Sequence, residues 1–325
     1  MRMRLCFAIA VLAGLLVGTA NAPAATIAGS CVSATNIGVI IDDSASMIGT
    51  DPDKLRVEAL KLLMNKPGNA NKLLGAVKFG DTASDMFAPT LIGPAVGLLG
   101  STLDSQIISN GSSTDYNLAF SQTKINDPGA DARIFLTDGG HNVFDFANGH
   151  VGGPKTYVIG VGIGETGEDG LRLQQIATET GGQYFPNVNT GDVQAVVNQI
   201  DAIINCAKAP MQFSDTFSKL SQKELHRFTI GSSAKSLDLV LTWADPTNSF
   251  AGRSFSLTGT QAIYAGASKK LKRKKLRITK TVGTTYVSYH LTGFRKGKLR
   301  FQLRASALAI PGAELTTQLT QNSMK

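Results

Sequence analysis

Asp42-Asp43-Ser44-Ala45-Ser46 closes the apolar run Ile37-Gly38-Val39-Ile40-Ile41. Side chains at i, i+2 and i+4 of an extended segment share one face. Asp42, Ser44 and Ser46 can therefore converge on one point. A carboxylate with two hydroxyls is a hard oxygen donor set. It suits Mg²⁺, Mn²⁺ or Ca²⁺ and not Zn²⁺. Three donors do not make a site, so the rest of the chain must supply others.

Two further stretches qualify. Arg133-Ile134-Phe135-Leu136-Thr137 is a buried-strand pattern that runs straight into Asp138-Gly139-Gly140. Gly111-Ser112-Ser113-Thr114-Asp115 offers a hydroxyl in a loop ahead of a helical pattern. Open parallel sheets bind ligands beyond the carboxyl ends of their strands, which is where Asp42 and Asp138 stand. Asp43 and Asp115, next to these donors, are expected to cap or to face solvent. His141 is expected to be a surface-loop histidine, the alternative being a rim position that tunes binding with pH. His150, His226 and His290 lack the H-x-x-x-H or H-E-x-x-H spacing of a zinc site. No nucleophile elbow or phosphate-binding loop is present, so no constellation points to an enzyme.

Residues 26–208 alternate between two patterns. Ile37–Ile41 is a continuous apolar run, and Leu73–Phe79, Arg133–Thr137 and Thr156–Val161 read as further buried strands. Lys54–Met64, Leu98–Ile108, Asp115–Thr123, Glu168–Thr180 and Gly191–Asn205 have helical spacing, with Asp51 or Asp53 available to cap the first. Gln183–Phe185 is a short edge strand. Buried strands alternating with amphipathic helices predict a doubly wound, mostly parallel α/β sheet. Residues 209–325 carry strand patterns and turn residues without a long helix, which predicts an all-β sandwich. Trp243 is expected in its core.

Charge divides the chain at the same place. Residues 26–208 hold 11 Lys and Arg against 19 Asp and Glu, a net of −8; residues 209–325 hold 19 against 5, a net of +14. The densest basic run is Lys269, Lys270, Lys272, Arg273, Lys274, Lys275 and Arg277, followed by Arg295, Lys296 and Lys298. Such a patch can bind an anionic envelope polymer, a membrane surface or a glycosaminoglycan. Nucleic acid is disfavoured, because no aromatic residues interleave with the charges. The bland alternative is a solvated edge, and a third is contact between the two halves.

Residues 1–25 read as a signal peptide: Arg2 and Arg4, an apolar Leu5–Gly18, then small residues. Export and a secreted or extracytoplasmic location (periplasm or cell surface) follow as expectations. Loss of Cys6 with the signal leaves Cys31 and Cys206, one before the first strand and one after the last helix. In an oxidising compartment this pair reads as a disulfide, the alternative being two buried thiols.

The set Asp42-x-Ser44-x-Ser46, Thr114 and Asp138, in that order, resembles the von Willebrand factor type A (integrin I-like) domain over residues 31–206. Ile159-Gly160-Val161-Gly162 and Ile176–Phe185 add to the likeness. The resemblance implies a metal-ion-dependent adhesion site. Asp42, Ser44, Ser46, Thr114 and Asp138 would hold Mg²⁺, or Mn²⁺ or Ca²⁺, directly or through water. One coordination position would stay open for an acidic side chain of an extracellular protein. The function so implied is exported adhesion or ligand recognition. The alternative is a metal-independent scaffold whose basic β-domain binds polyanions or envelope components.

Overall fold

The computed structural model describes residues 33–143, 145–257, 260–263, 277–294 and 297–323. The expected signal peptide, Cys6, Cys31, Lys269–Lys275, Arg295 and Lys296 lie outside the described residues.

The first half runs β1 (Asn36–Asp42), α1 (Met47–Thr50), α2 (Leu55–Met64), β2 (Leu73–Phe79), β3 (Ala83–Leu91), α3 (Ile92–Gln106), α4 (Tyr116–Asn126), β4 (Ala132–Thr137), β5 (Lys155–Val161), α5 (Gly167–Glu179), β6 (Gln183–Val188) and α6 (Val193–Ile204). The six strands form one sheet in the order β3-β2-β1-β4-β5-β6. All neighbours are parallel except β2 and β3. Every residue of β1 and β4 is buried, as strands covered on both faces must be. Ile37, Val39, Ile134 and Leu136 pack in the core on one face with residues of α2, α3 and α6. Ile40, Phe79 and Phe135 face the other way, into a core with Phe120, Leu173 and Ile176 from α4 and α5. The doubly wound α/β architecture expected from the alternating patterns is present.

Two elements differ from expectation. β3 has no counterpart in the sequence reading. It is an antiparallel edge strand that contains Pro89, and its mixed exposure hides the alternation. α3 begins at Ile92, six residues before the expected Leu98, because Pro94 stands in its first turn, where a missing N–H costs nothing.

The second half is all β: β7 (Met211–Phe217), β8 (Glu224–Ile230), β9 (Ser236–Thr242), β10 (Ser249–Leu257), β11 (Thr260–Ile263), β12 (Arg277–Val282), β13 (Tyr286–Thr292), β14 (Gly297–Ala307) and β15 (Ala313–Asn322). Two antiparallel sheets, β12-β13-β9-β15-β7 and β11-β10-β14-β8, enclose one core. Trp243 lies in that core, edge-on to Phe250.

The halves share a buried interface. β9 is buried on both faces, an unusual state for a sandwich strand. Leu237, Leu239 and Leu241 point into the sandwich. Val240 packs outward with Tyr286 against Leu62 of α2. Around that contact the polar groups find partners. Asn198 Nδ2 donates to Gln318 Oε1 at 2.7 Å, Gln194 Nε2 to Thr285 Oγ1 at 2.6 Å, and Thr284 N to Glu58 Oε2 at 2.8 Å. α2 is consequently buried almost all round, including Arg56 and Glu58. The five-stranded sheet is the one that meets the α/β half; the four-stranded sheet lies beyond it.

Candidate metal centre

Three loops at the carboxyl ends of β1 and β4 and ahead of α4 meet at one place. The first is pinned to the second by backbone. Ala45 N donates to Gly111 O at 2.8 Å and Gly111 N to Asp43 O at 3.0 Å, so Ser44 and Gly111 form an isolated parallel bridge. This approach requires glycine. A Cβ on Gly111 would stand 2.9 Å from the Cα of Gly80. Asp43 serves the same end: it accepts from Ile108 N at 2.8 Å and Ser109 N at 2.5 Å and pairs with Lys78 at 3.0 Å. Asp115 is the N-cap of α4, accepting from Asn117 N and Leu118 N. Asp115 caps as expected, whereas Asp43 neither caps a helix nor faces solvent but is buried as a loop anchor.

The hydroxyls and carboxylates then line up. Ser44 Oγ and Ser46 Oγ are 2.9 Å apart. Ser46 Oγ donates to Asp138 Oδ1 at 2.7 Å. Ser44 N donates to Asp42 Oδ1 at 2.8 Å. A Cβ built on Gly139 would stand 3.3 Å from Thr114 Oγ1 and 3.8 Å from Ser46 Oγ, so these two hydroxyls border a common space. Thr114 is held there by Asn142, which accepts from Thr114 N at 2.8 Å and donates its own N–H to Thr114 O at 3.2 Å. Asp42, Ser44 and Thr114 are buried, Asp138 is half-buried and Ser46 is exposed, so the space opens on the Ser46–Asp138 side. All five residues singled out in the sequence are brought together.

Electrostatics leave this pair of acids short of positive charge. Burial pushes the Asp42 carboxyl above its usual range, against hydrogen bonds from Ser44 and Thr137. Asp138 is pushed up to about 6, first by burial and then by the nearby Asp42 charge, with the Ser46 hydrogen bond acting the other way. Arg56 tempers both, but only at long range. Its guanidinium is fully buried and occupied by Asp51 Oδ2 at 2.7 Å and Ser109 Oγ at 2.5 Å. Two desolvated carboxylates beside three neutral hydroxyls fit a small hard cation. Among the described residues no group of three or more His, Cys, Asp and Glu could hold a metal. The donor set here is a mixed carboxylate–hydroxyl one.

Several residues that shape the site carry no motif. Thr137 Oγ1 donates to Asp42 Oδ2 at 2.5 Å and so ties β4 to β1 directly above the core. Tyr116 OH donates to Gly139 O at 2.5 Å, fixing the turn that bears Asp138. Thr50 Oγ1 reaches Asp138 Oδ2 and, at 2.9 Å, the Ser46 carbonyl. Asp51 does cap α2, through Leu55 N at 2.7 Å and Arg56 N at 3.1 Å, while also pairing with Arg56. Only Asp51 carries a local signal; the others become visible when the loops close.

His141 is not a surface-loop residue. Its side chain is buried against Tyr116 and Phe146, and Tyr116 N donates to its Nδ1 at 3.1 Å. It braces the start of α4 from behind the site. His150 is fully buried and bonded to Glu179 at 2.7 Å, with its ring stacked on Phe146.

No family model and no curated protein matches this sequence. Solved structures do resemble it. A von Willebrand factor type A protein from Catenulispora acidiphila is 15% identical, with a TM-score of 0.44 over 90% of this chain and 63% of that one. Proximal thread matrix protein 1 from the mussel byssus, with a zinc-occupied MIDAS motif, is 16% identical, with a TM-score of 0.45 over 58% of this chain and 50% of that one. An aerotolerance-related membrane protein from Bacteroides fragilis is 20% identical, with a TM-score of 0.39 over 53% and 99%. The chain spans less than two thirds of the length of the first two. At these scores the likeness is one of outline. Residues 36–204 form a doubly wound, mostly parallel sheet with an antiparallel edge strand, and three of its loops converge on Asp42, Thr114 and Asp138.

Proposed function

We propose that the α/β half is a metal-dependent recognition module of an exported protein. Asp42, Ser44, Ser46, Thr114 and Asp138 hold Mg²⁺, with Mn²⁺ or Ca²⁺ as substitutes. A divalent ion held there would supply a Lewis-acidic position for an acidic side chain of an extracellular protein partner. The residues of the chain do the rest. Thr137 and Tyr116 keep the two strand ends in register, Asn142 presents Thr114, and Ser46 bridges to Asp138. The observation that carries this reading is the convergence of three separate loops on a buried and a half-buried carboxylate, both raised by desolvation. The mussel protein whose MIDAS motif is zinc-occupied supports metal binding by this type of site; the hard oxygen set argues for Mg²⁺ here.

Export carries with it a Cys31–Cys206 disulfide. Ala34 N donates to Ile204 O at 2.9 Å, so the chain leading from Cys31 and the chain leading to Cys206 already meet. A bond there would close the two ends of the α/β half.

The test is retention of partners from extracellular material with and without EDTA. Metal-dependent recognition requires that EDTA releases the partner. Retention in EDTA together with release by moderate salt instead favours the polyanion-binding scaffold as the main activity.

A further inference from the structure

The four-stranded sheet of the sandwich turns one face to the core and the other away from the α/β half. On β14 the inward residues are Leu299, Phe301, Leu303 and Ala305, all buried. The outward ones are Lys298, Arg300, Gln302 and Arg304. On β8, Phe228 and Ile230 point in, and Leu225, Arg227 and Thr229 are exposed. The register places Arg300 directly opposite Arg227 and Lys298 opposite Thr229. On the other side β10 sets Ser256 beside Arg300, Ser254 beside Gln302 and Ala251 beside Arg304.

Among the described residues this face carries Arg227, Arg300 and Arg304, with Lys298 at its end, and the register places no carboxylate beside the three arginines. The five acids of residues 209–325 are placed elsewhere. Asp215 pairs with His226 and Asp238 with His290; Glu224 accepts from Gln222. Asp245 and Glu314 line a cleft of about 450 Å³ beside Trp243. Among the described residues no ion pair uses Arg227, Arg300 or Arg304. Like charges directly opposite one another destabilise a sheet. A bound anion between Arg227 and Arg300 removes that cost, and the planar guanidinium forks suit carboxylates.

We infer that the outer face of β8 and β14 binds a linear acidic polysaccharide bearing carboxylates. This deepens the polyanion reading of the basic half, on which it rests, and places the contact on a sheet face instead of the Lys269–Arg277 run. At a rise of about 3.4 Å per residue, Lys298 and Arg300 stand about 7 Å apart along the strand and Arg300 and Arg304 about 14 Å. Gln302 and Thr229 fill the gaps with neutral hydrogen-bonding groups. A sugar chain that presents carboxylates spaced by ring hydroxyls matches that alternation. Nucleic acid would want exposed aromatics to stack on, and Phe228 and Phe301 point inward instead. A lipid surface would want an apolar rim, and among the described residues of β8 and β14 Leu225 is the exposed large apolar residue on this face.

The experiment measures binding of the full chain to polygalacturonate, single-stranded DNA and anionic phospholipid vesicles, each in EDTA. The variants are R227Q, R300Q and R300E. Wild type should bind polygalacturonate in preference to the other two, and each variant should weaken binding by about tenfold or more. R300E should also raise the melting temperature, because it converts a repulsive cross-strand pair into an attractive one. That opposite movement of stability and binding separates loss of the site from loss of the fold. Wild-type binding by R227Q and R300E would overturn the location while leaving the polyanion reading standing. Absence of polygalacturonate binding in wild type, with DNA or vesicles bound instead, would overturn the ligand assignment. No binding to any of the three would end both.

Discussion

Ser46 Oγ donates a 2.7 Å hydrogen bond to Asp138 Oδ1 across 92 residues of chain. The first loop of the site and the last are thus in direct contact. Ser46 is exposed and Asp138 half-buried, so this bond sits at the mouth, where an incoming cation would compete for the same oxygens. Ser44, Ser46 and Asp138 form one hydrogen-bonded row at the mouth of the site.

The raised Asp138 carboxyl sets a pH dependence. An acid whose folded pKa lies above its unfolded value keeps its proton in the fold after the unfolded chain has lost it. Its contribution to stability is present below pH about 4 and falls away as pH rises to about 6. Metal-free protein should therefore lose stability across that interval, and the gain in melting temperature from added Mg²⁺ should grow across it. Thermal melts at pH 4, 5, 6 and 7, with and without Mg²⁺, check both signs. D138N should flatten the metal-free profile.

Arg56 and Asp51 form an ion pair with no exposed surface. R56L strands the Asp51 carboxylate and removes the anchor of Ser109. A cost of about 3–5 kcal/mol is expected, read from urea unfolding. Replacing both members with apolar residues should recover much of the loss, because burying two charges is itself costly.

Gly111 tests how far the loops depend on backbone contact. G111A must push the chain off Gly80, and Ser44 and Thr114 move with it. Mg²⁺ affinity should drop by tenfold or so, with a far-ultraviolet spectrum unchanged from wild type. Unaltered affinity would mean that the bridge between Ser44 and Gly111 does not position the donors.

Tyr286 is a joint between the halves. It is buried against Leu62 and Val240, and Asn65 Nδ2 donates to its hydroxyl at 3.1 Å. Y286A should cost about 3–5 kcal/mol. Wild type should unfold in one calorimetric transition, and the variant in two, as the halves lose their shared surface.

What was legible in the sequence is what local pattern encodes. β1 and β4 are buried strands that lead into Asp42 and Asp138, so both carboxylates could be placed before any contact was known. The reason expected for Ser44 and Ser46 does not hold: β1 ends at Asp42 and Ser46 is the helical N-cap of α1, so a turn and not an extended strand brings the two hydroxyls to the site. Thr137 and Tyr116 could not be read in this way. Thr137 looks like one more β-branched strand residue, and its bond to Asp42 exists only because β1 and β4 are neighbours. β3 was invisible because an edge strand with one wet face and a proline lacks the apolar run of its partners. His141 was misjudged because a loop position says nothing about what later folds over it. The joint between the halves was hidden as well: Glu58, Gln194 and Asn198 read as solvated helix faces until the sandwich covers them.

The central claim is that five side chains from three loops hold one divalent cation. Isothermal titration of Mg²⁺ into wild type, D42A and D138A tests it most directly, with each variant first shown to melt cooperatively. Saturable one-site binding by wild type and none by either variant is the expected result. Equal Mg²⁺ binding by all three would contradict the account.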